Sequence, residues 1–534
     1  MRRRQPRLRI ALFADSPVQP RWMVDAFARI ARSDFADVVL IAARRDGKPK
    51  KSWLWRACTR LDRMLFAKAT DPSAPVLLRA GIPLARHEKC RNTPGEMAAA
   101  WRRSGLTSLP LDVAFVLGDV ADEELHGIAR YGIWRWCFGA THGVREDLAG
   151  WREVTQGLPI TPSGLRVVLR PGADRLLCQS RTRTYPFSAA RNRADLFGKT
   201  AAFAERQLRL LHRSGDQHLT AQDWPPIAIA PNPADRPPQA TEILGGLARV
   251  GSRIAWRGLQ KLLFIEQWFI AYRFGPAGCD GDLSHHVHLL PPKDRLWADP
   301  FPLCRDGRSF IFFEEMPFAT GKGHIAMAEV DARGMVGQPR KVLERDYHLS
   351  YPYLIEHRGE LFMVPESGQN RSIDVYRCVS FPDVWRFEKT LLRDVSWADA
   401  TFHHDAHLWW MFVSISADGG QLYDELHIYY ADDLLGEWHP HSENPVKSDV
   451  CGARPAGRPF VAGGMLHRPA QIGVPLYGAG ISVARVLQLT PQRYREEEVS
   501  RILPQPGQGV LGIHTLNRSG DLSVVDAFAR RRRF

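Results

Sequence analysis

Four stretches decide the fold: Trp297-Ala-Asp-Pro-Phe-Pro-Leu303, Ser350-Tyr-Pro-Tyr-Leu-Ile355, Trp397-Ala-Asp-Ala-Thr-Phe402 and Ala456-Gly-Arg-Pro-Phe-Val461. Each opens a unit of the same grammar. A turn follows it (Arg305-Asp-Gly-Arg308, His357-Arg-Gly359, His404-Asp-Ala406, Ala462-Gly-Gly464), then a second strand, very apolar in the first three units (Ser309–Glu315, Leu361–Glu366, Leu408–Val413, Met465–Ala470). A loop then leads to a third strand at His324–Glu329, Ile373–Arg377, Leu426–Tyr430 and Ile481–Val486. Strand, turn, strand, loop, strand about every 50 residues is the period of propeller blades. Four units are plain, and ring closure predicts a fifth from Gln267–Tyr272 and the chain end at Val510–Val525. The expectation is an all-β five-bladed propeller over residues 264–526. A β-sandwich with accidental self-similarity is the alternative.

The rest of the 534-residue chain is built differently. Leu8–Ala14 and Ala36–Ala43 read as apolar strands around a helical stretch at Trp22–Ala31, the βαβ rhythm of a parallel sheet. A further strand is expected at Leu111–Gly118, with an acidic helix start at Asp119–Glu124, and a helix through Ala201–Leu211. Prolines then crowd residues 223–238, before a helical segment at about 241–264. The domains expected are an α/β domain over 1–214, a Pro-rich linker and helix over 215–263, the propeller over 264–526 and a basic tail over 527–534.

Charge separates the halves too. The chain is formally +14, yet residues 1–260 hold 42 basic and 24 acidic residues and residues 261–534 hold 30 and 34. The excess therefore suits an anionic membrane surface or phosphorylated carrier at the basic half. Nucleic acid is not expected, since no recognised binding signature accompanies the charge. The basic start Met1–Arg9 leads into an apolar run that stops at Asp15, too short for a secretory signal. A cytoplasmic protein, peripheral to the inner membrane at most, is expected. Eight cysteines without a CxxC pair predict buried free thiols.

Innermost propeller strands converge on the axis, so the unit openings bring Asp299, Tyr351, Asp399 and Arg458 together. The second strands end on Glu314, Glu315, Glu366, Ser414 and Gln471. Carboxylates delivered from different blades to one pocket suit glycoside chemistry, which needs a proton donor and a base or nucleophile. Asp299, Glu366, Asp399 and Glu315 are the catalytic candidates, with blade-capping carboxylates as the alternative for each. Arg454, Arg458 and Arg468 offer planar forks for phosphate or carboxylate, or else internal salt bridges. His324 and His348 at strand starts, Tyr351 and Trp297 as stacking surfaces, and Gln471 complete the substrate-binding candidates. His403-His-Asp-Ala-His407 falls on a hairpin turn without a cysteine partner, so neither a metal nor a cofactor is expected.

Several stretches carry a family likeness. Trp297-Ala-Asp-Pro-Phe, Phe313-Glu-Glu, His348-Leu-Ser-Tyr-Pro-Tyr, Pro365-Glu-Ser, Gly436-Glu-Trp-His-Pro-His, Asn444-Pro-Val, Ala453-Arg-Pro-Ala-Gly-Arg and Tyr477-Gly resemble the N-terminal domain of plant glucosamine inositolphosphorylceramide transferases and its bacterial relatives. That domain is similar to the five-bladed propellers of arabinanase- and fructosidase-type enzymes. The resemblance implies a base or nucleophile at Asp299. The order Asp299, Glu366, Asp399 differs from the Asp, Asp, Glu of those glycosidases and leaves the other roles open. In the plant enzymes, transfer is assigned to a separate C-terminal domain, which is not expected here. The first half resembles a formyltransferase-type fold, with Trp136–Arg145 where such enzymes carry Asn-x-His-Pro-Ser. Here the Asn is missing and His142 lacks its Pro-Ser, which predicts a degenerate site.

The function expected is a carbohydrate-active enzyme transferring a sugar to a surface glycan or lipid-linked acceptor, with a sugar, nucleotide-sugar or lipid-linked phosphate as partner. Glycoside hydrolysis by the same carboxylates, formyl transfer to an amino sugar and non-catalytic glycan binding are the alternatives.

Overall fold

The computed structural model describes residues 6–44, 52–66, 71–82, 84–139, 146–170, 174–220, 237–275, 280–417 and 421–533. The chain divides into two compact units, Met1–Ile254 and Ala255–Phe534.

The first unit is a mixed α/β sheet of seven strands, ordered Arg86–Cys90, Ala36–Arg44, Leu8–Ala14, Val113–Leu117, Ile133–Phe138, Ile160–Val168 and Asp174–Arg183. Pairing is parallel as far as Ile133–Phe138 and antiparallel beyond it. One face packs against the helices Arg21–Ala31 and Ala189–Ser214 through Trp22, Phe27, Phe197 and Leu208. Opposite them, Met97, Ala100 and Trp101 of helix Glu96–Arg103 pack with Phe13 and Leu40. Burial on both faces explains why these strands read as unbroken apolar runs. The acidic stretch expected to start a helix is instead a single 3₁₀ turn, Asp122–Leu125. Asp122 there accepts bonds from Arg135 and Arg166, which fixes a turn rather than a helix start. His142 lies outside the described residues.

The second unit is a five-bladed propeller. Blades 2 to 5 follow the chain from inside out. Blade 2 is Arg295–Arg305, Arg308–Pro317, His324–Asp331 and Gly334–Leu343. Blade 3 is Ser350–His357, Glu360–Glu366, Ser372–Ser380 and Val384–Arg393. Blade 4 is Trp397–His404, Trp409–Ile415, Glu425–Ala431 and His439–Pro440, and blade 5 is Phe460–Ala462, Met465–Ile472, Gly480–Leu489 and Tyr494–Ile502. Blade 1 joins the two ends of the unit. Phe264–Phe274 pairs with Leu522–Arg532 in antiparallel register from Phe264↔Arg532 to Phe274↔Leu522, and Val510–Gly512 and Leu516–Ser519 lie inside it. Residues 527–532, read from sequence as a basic tail, are thus strand. Their arginines are held by acceptors on the partner strand: Arg530 bonds Glu266, and Arg531 bonds Gln267.

Cys90, Cys137 and Cys451 are buried as expected, whereas Cys304 is exposed, since it sits beside the Asp306-Gly307 hairpin turn.

Closure by an eleven-residue strand pair makes the ring cooperative. A chain ending at Asp521 is expected to lose the second unit's calorimetric unfolding transition. Retention of that transition at full enthalpy would contradict the closure.

Candidate active site on the propeller axis

Three inner strands break their pairing at the same place. Register slips between Ala298 and Phe301, between Ser350 and Tyr353, and between Ala398 and Thr401. At each slip one residue adopts the left-handed backbone conformation: Asp299 at φ 51°, Tyr351 at φ 45° and Asp399 at φ 54°. For non-glycine residues this costs about 1–3 kcal/mol each and persists only where surroundings fix it. The bulge takes these side chains out of the strand's alternation, and each bonds another blade. The related opening in blade 5 carries Gly457 at φ 123°, where a Cβ would stand 2.0 Å from the Leu516 carbonyl oxygen.

Asp299 faces blade 1. Its Oδ1 accepts the Thr515 hydroxyl at 2.8 Å and lies 3.1 Å from His514 Nε2. The other ring nitrogen, Nδ1, is 2.9 Å from Asp526. Asp526 also accepts the backbone N–H groups of Asp299, His514 and Thr515. Burial disfavours a charged imidazole, but Asp526 and Asp299 outweigh it and push the His514 pKa up to about 10. An imidazolium therefore lies between two carboxylates at neutral pH. Ligand atoms of Asp299, His514 and Asp526 fall within 4.8 Å of one another, a spacing that suits a cation, and the ring protons supply that positive charge.

Asp399, wholly buried, faces blade 5. Arg454 Nε donates to its Oδ2 at 2.5 Å and Gln471 Nε2 donates to the same oxygen at 2.7 Å. Glu366 sits beside this pair: its Oε2 accepts the Asp399 backbone N–H at 3.3 Å and lies 3.6 Å from Arg454 Nη2. Burial, then the Asp399 charge, raises the Glu366 pKa well above the usual carboxylate range despite Arg454. Tyr477 lies under the Arg454 guanidinium at 5.3 Å, and its phenol is kept neutral by burial. Asp299 contributes to the electrostatics of both Glu366 and Tyr477, which puts the two carboxyl groups in one field.

The second strands supply Glu366 and one other acid. Ala298 pairs with Glu314, Ser350 with Glu366 and Ala398 with Ser414, so Glu314 is the blade 2 counterpart of Glu366. Glu315, expected from sequence, is one residue off and on the opposite face. There it accepts Trp297 Nε1 at 2.8 Å and Arg295 at 3.3 Å, with His324 at 3.2 Å. These donors outweigh burial and hold its pKa down to about 2, so it has no proton to give. Trp297 and His324, expected to bind substrate, are consumed by that cluster. Glu314 is instead 3.3 Å from His348 Nε2, and burial raises its pKa. His348, a quarter exposed, borders the acids as expected.

Two more expectations change. Tyr351 is wholly buried and its hydroxyl accepts Gly457 N–H at 2.7 Å and meets Thr401 at 3.0 Å, so it braces blades rather than stacking on a sugar. Arg468, also fully buried, gives Nε and Nη2 to Glu496 at 2.9 and 2.7 Å and bonds the Gly452 carbonyl, an internal pair away from the axis. Arg458 differs from both. Its guanidinium lies 5.5 Å over Tyr353 and 6.0 Å over Phe301, Nε has no bond, and no carboxylate among the described residues is in ion-pair range. His514, Thr515 and Asp526 were missed by sequence reasoning because the closing blade lacks the repeated opening. Tyr477 was seen only as part of a Tyr-Gly pair. Gly478 is needed there because a Cβ would meet Trp268 at 2.5 Å.

Residues 291–524 match the family model for the N-terminal part of glucosamine inositolphosphorylceramide transferase 1. All the axial residues except Asp526 fall inside that match. Curated relatives of this name are 33% identical over 205 residues in Arabidopsis thaliana and 32% over 216 residues in Oryza sativa subsp. japonica. The alignments span 38% and 40% of this chain but only 27% and 29% of the relatives. Among solved structures, the catalytic domain of a Coprinopsis cinerea GH62 α-L-arabinofuranosidase aligns over 50% of this chain and 96% of its own, at 13% identity and TM-score 0.33. A Podospora anserina α-L-arabinofuranosidase aligns over the same shares at 10% identity and TM-score 0.33.

His514 yields a pH signature. A histidine pKa raised by folding stabilises fully below its unfolded value near 6.5, and the contribution is lost as pH climbs toward 10. For this buried group the full contribution is on the order of 3–5 kcal/mol. His514→Gln is expected to be less stable at pH 6, with the gap to the parent protein narrowing by pH 10 in urea titrations. A pH-independent gap would contradict the buried imidazolium.

Proposed function

We propose that the propeller axis catalyses sugar transfer, with Glu366 as proton donor and Asp299 as base or nucleophile. One observation carries this reading: neighbouring carboxyl groups are held in different environments, Glu366 buried beside the Asp399 charge with its pKa raised, Asp299 against the His514 imidazolium. An acid kept protonated by burial suits the donor role.

The roles follow from the partners. Glu366 gives its proton to the oxygen leaving the anomeric carbon as that bond breaks. Asp299 either takes the proton of the incoming acceptor hydroxyl, or first bonds the anomeric carbon and is then displaced by the acceptor oxygen, whose proton returns to Glu366. Arg454 and Gln471 hold Asp399 in place, and burial together with the Asp399 charge keeps Glu366 protonated; all three are positioning residues. Arg458, with no acid partner in range, suits an anionic group on donor or acceptor, such as a phosphate.

The family match supports a carbohydrate substrate. The name of the curated relatives adds glucosamine as a sugar and a phosphorylated lipid as acceptor, both within this proposal. Hydrolysis differs only in that water takes the acceptor's place. For the first unit, the mixed sheet is compatible with a formyltransferase-like fold, and the missing Asn argues against formyl transfer there.

Glu366→Gln and Asp299→Asn are each expected to lower turnover of a nucleotide-sugar panel by about 10²–10⁴-fold, in folded protein. The parent's rate should fall as pH rises through the elevated Glu366 pKa, because the acid loses its proton, and the Gln variant should lack that limb. Unchanged rates in both variants would refute the axial site.

A further inference from the structure

Two helices of the described chain turn apolar faces to solvent. Helix Trp53–Phe66 is anchored through Trp55, which packs edge-on against Trp151 at 4.7 Å, and through Asp62, whose carboxylate accepts the Ala190 N–H at 2.7 Å. At 100° per residue the opposite side carries Trp53, Ala57, Leu61 and Met64. Trp53 is 73% exposed, Leu61 58% and Met64 75%. Helix Ala240–Leu263 is anchored on the same cluster by Ile243. Its outward arc holds Leu244, Leu247, Gly251, Ile254, Gly258 and Leu262, with no charged residue among them. The four leucine and isoleucine side chains on it are all exposed.

The charges lie beside these arcs and are basic. Arg56 and Arg60 lie beside the first, with Asp62 turned inward and Arg63 paired with Asp71 at 3.4 Å, and Lys261 lies beside the second, where Arg257 bonds Glu266 and Glu242 is the one acid in the helix. Arg249 and Arg253 lie on the far side of that helix, where they bond the carbonyl oxygens of Thr155 and Val154. An apolar arc with exposed tryptophan and basic flanks matches a helix lying in a lipid headgroup region. A second copy of the chain is the poorer occupant, since pairing like helices across a two-fold axis brings basic flanks together. No helix of the described chain is long and apolar enough to cross a membrane.

We propose that helices Trp53–Phe66 and Ala240–Leu263 dock the protein on the surface of an anionic phospholipid bilayer. Apolar side chains enter the acyl boundary, and the flanking arginines meet lipid phosphates. The inference stands apart from the sugar chemistry.

The test is co-sedimentation of the full chain with phosphatidylcholine vesicles, with and without phosphatidylglycerol, at low and high salt. The proposal expects at least about tenfold stronger partitioning onto the anionic vesicles, falling with salt as flanking charges are screened. Trp53→Ser/Leu61→Ser/Met64→Ser and, separately, Leu244→Ser/Leu247→Ser should each cost about tenfold or more, with an unchanged unfolding midpoint because these positions are exposed. Arg56→Glu/Arg60→Glu should remove the preference for anionic lipid. Partitioning that ignores lipid charge, or that survives both apolar variants, would overturn the proposal. So would a dimer in sedimentation equilibrium that the same serine variants dissociate, which would assign the faces to a second copy.

Discussion

Everything on the propeller axis depends on one backbone device, the left-handed bulge repeated in the inner strands of blades 2, 3 and 4. A regular strand alternates its side chains between two faces. The bulge breaks that alternation at one position per blade and commits Asp299, Tyr351 and Asp399 to partners in other blades. Strain of this kind survives only if the partners hold it. Here they do: Thr515 and His514 for Asp299, Thr401 and Gly457 for Tyr351, Arg454 and Gln471 for Asp399. Ring closure and site assembly are thus one event, because Thr515, His514 and Asp526 arrive with the final strands.

The electrostatics follow from that placement. Five acids crowd the axis: Asp299, Glu314, Glu366, Asp399 and Asp526. They cannot all be charged without cations among them. The His514 imidazolium serves Asp299 and Asp526, and Arg454 serves Asp399. Glu366 lies near Arg454 but is outweighed by burial and the Asp399 charge, so it keeps its proton. Burial, set against the cations within reach, raises Glu366 and Glu314.

The repeat made the architecture legible. Openings such as Trp297-Ala-Asp and Trp397-Ala-Asp mark the bulges themselves, and Glu366, Asp399, Arg454 and Gln471 are joined by hydrogen bonds, while Asp299 meets His514 and Thr515. What escaped did so for physical reasons. Adjacent strand residues point to opposite faces, so nothing in Phe313-Glu-Glu tells Glu314 from Glu315 until the pairing with Ala298 is known. Arg468 and Arg454 look alike in sequence, and only the third dimension brings Glu496 to one and Asp399 to the other. Blade 1 is assembled from the two ends of the second unit and has no self-similar opening, which hid His514 and Asp526. Aromatic residues such as Trp297 and Tyr351 are equally apt for sugar stacking and for core packing, and burial made them core.

The central claim, that folding keeps Glu366 neutral on the propeller axis, is open to direct observation. Infrared difference spectroscopy of the full chain at neutral pH, parent minus Glu366→Gln, reads the protonated carboxyl C=O stretch. The account predicts that this band is present in the parent and loses one component in the variant, whereas Asp299→Asn leaves that component in place. A parent spectrum without the Glu366 component at neutral pH would contradict it.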